Sequence, residues 1–166
     1  MEHRSSSAGF TLIELLVVIT IIGILSTMIL MQLNYVRARA RDIKRVYDVH
    51  QLRTAVEMYY DDHGTYPKDL GSEAMSAYFP NNHIPTDPVL GRYYMYSYYP
   101  ADNPTKYQIW AELERQNIIS LNLDHDINSN TWYGNGIDAA DPASEKCEAR
   151  FSIGARDCIY DVGQPF

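Results

Sequence analysis

Residues 9–31 read GFTLIELLVVITIIGILSTMILM, and Glu14 is the one charged side chain among them. Counted from Phe10 the apolar run is about 22 residues, roughly 33 Å as a helix, enough to cross a hydrocarbon core of about 30 Å. A carboxylate at that depth costs on the order of 2.5–3.5 kcal/mol, so Glu14 needs a partner and a task. In front of the run lies a short polar leader, MEHRSSSAG, which ends at Gly9. Three readings compete. A secretory signal has a shorter apolar region and a small-x-small cleavage site. Here bulky Met28–Met31 follow, and Ser26-Thr27 makes a poor site. A plain membrane anchor accounts for the composition but not for Glu14. A cut between Gly9 and Phe10 accounts for both. It frees an amine at the depth of the carboxylate. The first turn of a helix projects Glu14 sideways, away from its own terminus, so the amine of a neighbouring copy is the better partner. That pairing neutralises both groups and fixes the stagger between helices.

Beyond the run the pattern becomes one-sided. Arg37, Arg39, Arg41, Lys44 and Arg45 follow the span, whereas the leader holds only Arg4. A bare count of positive charge therefore places the C-terminal side in the cytoplasm. Residues 9–14 resemble a known family's processing site, and that resemblance implies a leader on the inside, which overrules the count. Val49, Leu52, Val56 and Tyr59 then recur at 3-4-3 spacing, one face of a helix. Gly64 is the expected terminator, and Pro67 reinforces it. A single helix of about fifty residues, roughly 75 Å long, is implied.

Charge is unevenly placed. The net charge is −7, with six Lys/Arg against three Asp/Glu over residues 1–45 and eight against eighteen afterwards. So acidic a head repels phosphate backbones, and no nucleic-acid partner is expected for it. Fourteen tyrosines against four phenylalanines suit half-buried sheet, where the ring packs and the hydroxyl reaches water. Ser72–Phe79 reads as a short helix capped by Ser72. Arg92–Tyr99 and Lys106–Leu113 read as two strands, the second with Tyr107, Ile109, Ala111 and Leu113 on its buried face.

Gly9-Phe10-Thr11-Leu12-Ile13-Glu14 resembles the processing site of type IV prepilins and type II secretion pseudopilins. The resemblance implies that a membrane peptidase cuts after Gly9 and methylates the new terminus on Phe10. It also implies that Glu14 is required for assembly, and that the product is a helical homo-oligomer built by inner-membrane machinery. RDIKRVYDVHQLRTAVEMYYDDHGTYP (residues 41–67) is similar to the family's next helical stretch, through Ala55, Glu57, Tyr59, Gly64, Tyr66 and Pro67. IPTDPVLGRYYMYSYYP (residues 84–100) resembles a segment of the major pseudopilin through Pro85, Asp87, Pro88, Gly91, Tyr94 and Tyr96. Val89 and Leu90 stand where that family has Trp, and Met31 stands where many members carry a kinking proline. Gly23 is retained, so loosening of the helix in a filament would centre there.

The implied fold class is α+β, a pilin-like spine helix packed on a small antiparallel sheet. The expected organisation is leader 1–9, transmembrane and assembly half 10–33, amphipathic half 34–64 and head 65–166. The precursor is expected as a single-pass protein of the cytoplasmic (inner) membrane with its head outside the cytoplasm. The filament is expected at the cell surface or in the periplasm. Alternatives to a pilus subunit are the major pseudopilin of a secretion system and a membrane-anchored binding module that does not polymerise.

Two readings concern the last fifty residues. Asp124, Asp126 and Asn128 place oxygens at alternate positions, a pattern that can hold Ca²⁺ but also suits a solvated turn. The resemblance favours calcium, because major pseudopilins bind it in a late loop; no cofactor is required. Cys147 and Cys158 are expected to form a disulfide in an oxidising compartment, metal ligation and two buried thiols being the alternatives. No enzyme is expected: His3, His50, His63, His83 and His125 lie in no nucleophile or metal motif.

Overall fold

The computed structural model describes residues 10–115, 121, 123–137, 139 and 158–164, with the side chain of Met31 excepted. Its longest element is α1, Leu12–His63, of 52 residues. The chain divides into two compact units, one ending at Arg37 and the other beginning at Ala38.

In the first unit every described side chain from Phe10 to Arg37 is exposed. Two hydroxyls within the run are satisfied by the helix's own backbone. The Thr20 hydroxyl donates to the Val17 carbonyl at 2.8 Å, and the Thr27 hydroxyl to that of Ile24 at 2.7 Å. Backbone and hydroxyls are thus paired inside the helix, as a lipid or helix-bundle environment demands.

The second unit is built on the predicted stripe. Val49, Leu52 and Val56 are fully buried, and Tyr59 packs at the margin of the same core. Gly64 ends α1 as expected, with φ of 69° and its N–H on the Tyr60 carbonyl at 2.7 Å. That left-handed backbone is open to glycine without a Cβ penalty. Ser72 caps α2, which is shorter than expected at Glu73–Ser76. Pro80–Asn82 forms a turn of 3-10 helix, with Asn81 and Asn82 at positive φ.

Among the described residues the sheet has four antiparallel strands in the order β3-β1-β2-β4. They are β1 (Met95–Tyr99), β2 (Lys106–Glu112), β3 (Tyr133–Gly134) and β4 (Ile159–Gln164). In register, Tyr96 faces Ile109 on β2, which faces Val162 on β4. β1 begins three residues later than expected, because Asp87–Arg92 closes as a turn first. There the Asp87 N–H donates to the Arg92 carbonyl and the Gly91 N–H to that of Asp87, both at 2.9 Å. The α+β reading holds.

β2 departs from simple alternation. Tyr107, Ile109, Ala111 and Leu113 join the core as expected, but Gln108 on the other face is also fully buried. Ser97 and Asp161 beside it are buried as well. The segment 125–129 covers this outer face and supplies the missing partners. Gln108 Nε2 donates to the Ile127 carbonyl and to Asp161 at 2.9 and 2.8 Å, and its Oε1 accepts from the Ser129 hydroxyl. Buried polar groups so satisfied are structural.

Candidate functional site

α1 opens on a reciprocal cap. Thr11 donates its N–H and its hydroxyl to one oxygen of Glu14 at 2.9 and 2.7 Å, and the Glu14 N–H returns to the Thr11 hydroxyl at 3.3 Å. Thr11-Leu12-Ile13-Glu14 is therefore a capping box, the S/T-x-x-E signature of a helix start. The signal was present in the sequence and was overlooked there. Glu14 folds back onto its own first turn rather than projecting sideways, a correction to the expected geometry. The carboxylate has a partner at the mouth of the helix. Phe10, beside it, is 73% exposed. Gly9 lies outside the described residues.

A second constellation centres on Arg45, which is 4% exposed. Its guanidinium reaches Asp87 at 2.7 Å, Asp42 at 2.8 Å and Glu114 at 2.9 Å. Asp42 also accepts the backbone N–H groups of Glu114 and Arg115, at 2.8 and 3.0 Å. Arg41 forks onto Glu114 at 2.7 and 2.5 Å. Helix, turn and strand end thus meet on one cation. Burial would depress the Arg45 guanidinium, yet its bonds to Asp87 and Glu114 outweigh that and hold it above its ordinary range. Asp87 is held below the usual carboxylate range: burial opposes this, and the bonds from Arg45 and the Leu90 and Val89 N–H groups prevail. Asp42 lies above its usual value, chiefly through burial.

The late acidic loop is assembled differently from its expectation. The carboxylates of Asp124, Asp126 and Asp161 converge within 4.8 Å of one another. Asp161 comes from β4 and was not named from the sequence. Asn128 instead accepts the Asn130 N–H at 3.2 Å, closing a turn. Asp161 in turn orders the loop by accepting the N–H groups of Asp126 and Ile127 at 2.9 and 3.0 Å. Its carboxyl is pushed up by burial, against the opposing bonds from Gln108 and the loop amides. Three oxygen donors of hard character suit Ca²⁺ better than a softer metal.

Cys158 is fully buried just before β4, and its carbonyl accepts the Leu113 N–H at 2.9 Å. Cys147 lies outside the described residues. His50, exposed on α1, shares a 2.8 Å hydrogen bond with the Tyr160 hydroxyl, a packing role.

A family model described as the prokaryotic N-terminal methylation motif matches residues 4–30. The type II secretion system core protein G of Klebsiella michiganensis is 33% identical over 109 residues, covering 57% of this chain and 77% of that protein. This chain belongs to the type IV pilin and type II secretion pseudopilin family. A core protein G of Vibrio cholerae is 37% identical over 76 residues, 45% of this pilin-like chain and 52% of the relative. The type IV major pilin protein PilE of Neisseria gonorrhoeae is 39% identical over 69 residues, 42% and 41% of the two chains. No solved structure matches. The matched region contains Gly9, Phe10, Thr11 and Glu14, so in this pilin-like chain the capping box lies within the family motif. The family is one of structural subunits.

Proposed function

We propose that the chain is a structural subunit of a pilus-like filament, cut between Gly9 and Phe10 by prepilin peptidase and polymerised through the start of α1. The observation that carries this reading is Glu14: one carboxylate at the mouth of an apolar helix whose side chains are exposed from Leu12 at 81% to Leu30 at 65%. Each such side chain gains roughly 1.5–3 kcal/mol on leaving water. α1 contains a window apolar enough to cross a membrane, with none of it buried inside the protein. Lipid covers that surface before assembly and sister helices cover it afterwards. The precursor sits in the cytoplasmic membrane with its head outside the cytoplasm, and inner-membrane assembly machinery extracts it. In the filament Glu14 exchanges Thr11 for the Phe10 amine of a neighbouring copy.

Between a surface pilus and a secretion pseudopilus, the Klebsiella relative favours the pseudopilus, since the chain spans 77% of it. Two further features belong to the same reading. Asp124, Asp126 and Asp161 would hold Ca²⁺, and Cys147 with Cys158 would close the C-terminal loop as a disulfide.

The test is Glu14→Ala in cells that carry the assembly machinery. The expected result is a processed, membrane-inserted subunit with no filaments. Normal filaments from this variant would overturn the assembly role given to Glu14, and absence of filaments from the parent chain as well would favour a non-polymerising anchored module.

A further inference from the structure

The second unit exposes apolar side chains together at its N-terminal end. On α1, Ile43 and Tyr47 are 57% and 60% exposed; on the turn after Asp87, Val89, Leu90 and Tyr93 are 58%, 59% and 47% exposed. Ile43 and Tyr47 line one groove with Pro88 and Gly91, the residues that bracket Val89 and Leu90 in the turn, while Val89, Leu90 and Tyr93 themselves line a separate cavity beside Arg45. The turn is held stiffly. Asp87 accepts the Val89 and Leu90 N–H groups through one oxygen, both at 2.8 Å, and the Arg45 guanidinium through the other. Two aliphatic side chains are thereby presented to the outside by a buried ion network.

The charge around them has one sign in excess. Over residues 38–48 of α1 the exposed cations are Arg39 and Lys44, since Arg45 is buried on Asp42, Asp87 and Glu114 and Arg41 is paired with Glu114, whereas residues 54–63 hold three carboxylates and no Lys or Arg. Both carboxylates at the first end are buried in ion pairs, Asp42 with Arg45 and Asp48 with Lys44. Arg39 and Arg92 are exposed. Apolar tips, a tyrosine and basic side chains are what an anionic bilayer surface accepts: apolar groups enter the headgroup boundary while cations meet phosphate. The covalent chain supplies proximity as well, since Ala38 follows the expected end of the span at residue 33 by five positions.

From this we infer that, before assembly, the Pro88–Tyr93 turn and the Ile43–Tyr47 face dock on the anionic phospholipid headgroups of the membrane that holds the span. The docking rests on the membrane insertion proposed above. It retains the head at the bilayer until extraction, when the same surface is freed.

The test uses the full mature chain in lipid nanodiscs of phosphatidylcholine, with and without phosphatidylglycerol, doped with a headgroup-gadolinium lipid. Amides of residues 43–47 and 89–93 should relax faster than those of Asp61 and Asp62 in the anionic discs and lose that excess in pure phosphatidylcholine. Arg92→Gln should weaken the docking about fivefold, and Val89→Ser with Leu90→Ser should abolish it while the melting temperature of the head stays unchanged. Equal relaxation at both ends of the head would overturn the inference. So would an excess that is independent of phosphatidylglycerol. Protection that persists in detergent and rises with protein concentration would assign the surface to a second copy instead. A chain that fails to partition into discs at all would sink the functional reading rather than this one.

Discussion

Glu14 forms the helix-start cap with Thr11 and is also the residue to which the proposed assembly role falls. In the isolated subunit its carboxylate accepts the Thr11 N–H and hydroxyl, so the helix start is capped from within the chain. Losing such a cap typically costs about 1 kcal/mol. Thr11→Val should therefore fray the first turn, seen as faster hydrogen exchange at Glu14 and Leu15, with no change in the melting of the head. Arg45 is the other decisive residue. Removing one partner of a buried ion pair typically costs about 3–5 kcal/mol, and Arg45→Ala leaves Asp42 and Asp87 buried without it. Chemical denaturation of the head should show a loss of that size. Asp87 adds a pH signature. Its folded carboxyl lies below its ordinary value, so its stabilisation is complete above about pH 4 and vanishes as pH falls through the lower folded value. The gap in melting temperature between the parent and Asp87→Asn should hold from neutral pH to about pH 5 and close in stronger acid. Asp42, raised by burial, carries the opposite sign, because acidification through its folded value favours the folded state.

At the scale of elements, periodic signals were legible and contributions from distant segments were not. Val49, Leu52 and Val56 announce the helix face they bury, and Gly64 announces its end, because both signals are local. The two central strands were visible for the same reason. β3 is only two residues long, and β4 sits in a stretch whose pairing partner β2 lies about fifty residues earlier. Nothing local marks such pairing. The burial of Gln108 was illegible because its partners, Ile127 and Asp161, come from two later segments. Asp161 escaped the candidate metal set for the same reason, whereas Asp124 and Asp126, two positions apart, were legible. The capping box alone was local and still missed: Glu14 was read for its cost in lipid and not for its spacing from Thr11. A close fit in the sheet supplies a further test. A Cβ on Gly163 would stand 2.1 Å from the Tyr107 carbonyl oxygen. Gly163→Ala should push β4 off β2 and lower stability by about 1–3 kcal/mol, read from denaturant midpoints.

For the molecule as a whole, the two units meet different demands. Among its described residues the first is exposed and largely apolar on all sides, the surface that lipid or copies of itself would cover in the proposed function. The second has a core and a buried polar layer of Gln108, Ser129 and Asp161, and its late loop brings Asp124, Asp126 and Asp161 together. If Asp124, Asp126 and Asp161 hold Ca²⁺, saturating calcium should raise the melting temperature of the head by several degrees. Asp126→Asn, at an exposed position, should shrink that shift; a chelator-insensitive melt would refute the calcium reading.

Assembly as proposed requires release of a new terminus beside Glu14. Intact mass measurement of the subunit recovered from membranes tests it directly. The mass should correspond to a chain beginning at Phe10 and carrying a methyl group on its amine. A mass that retains residues 1–9 in cells with an active peptidase would contradict it.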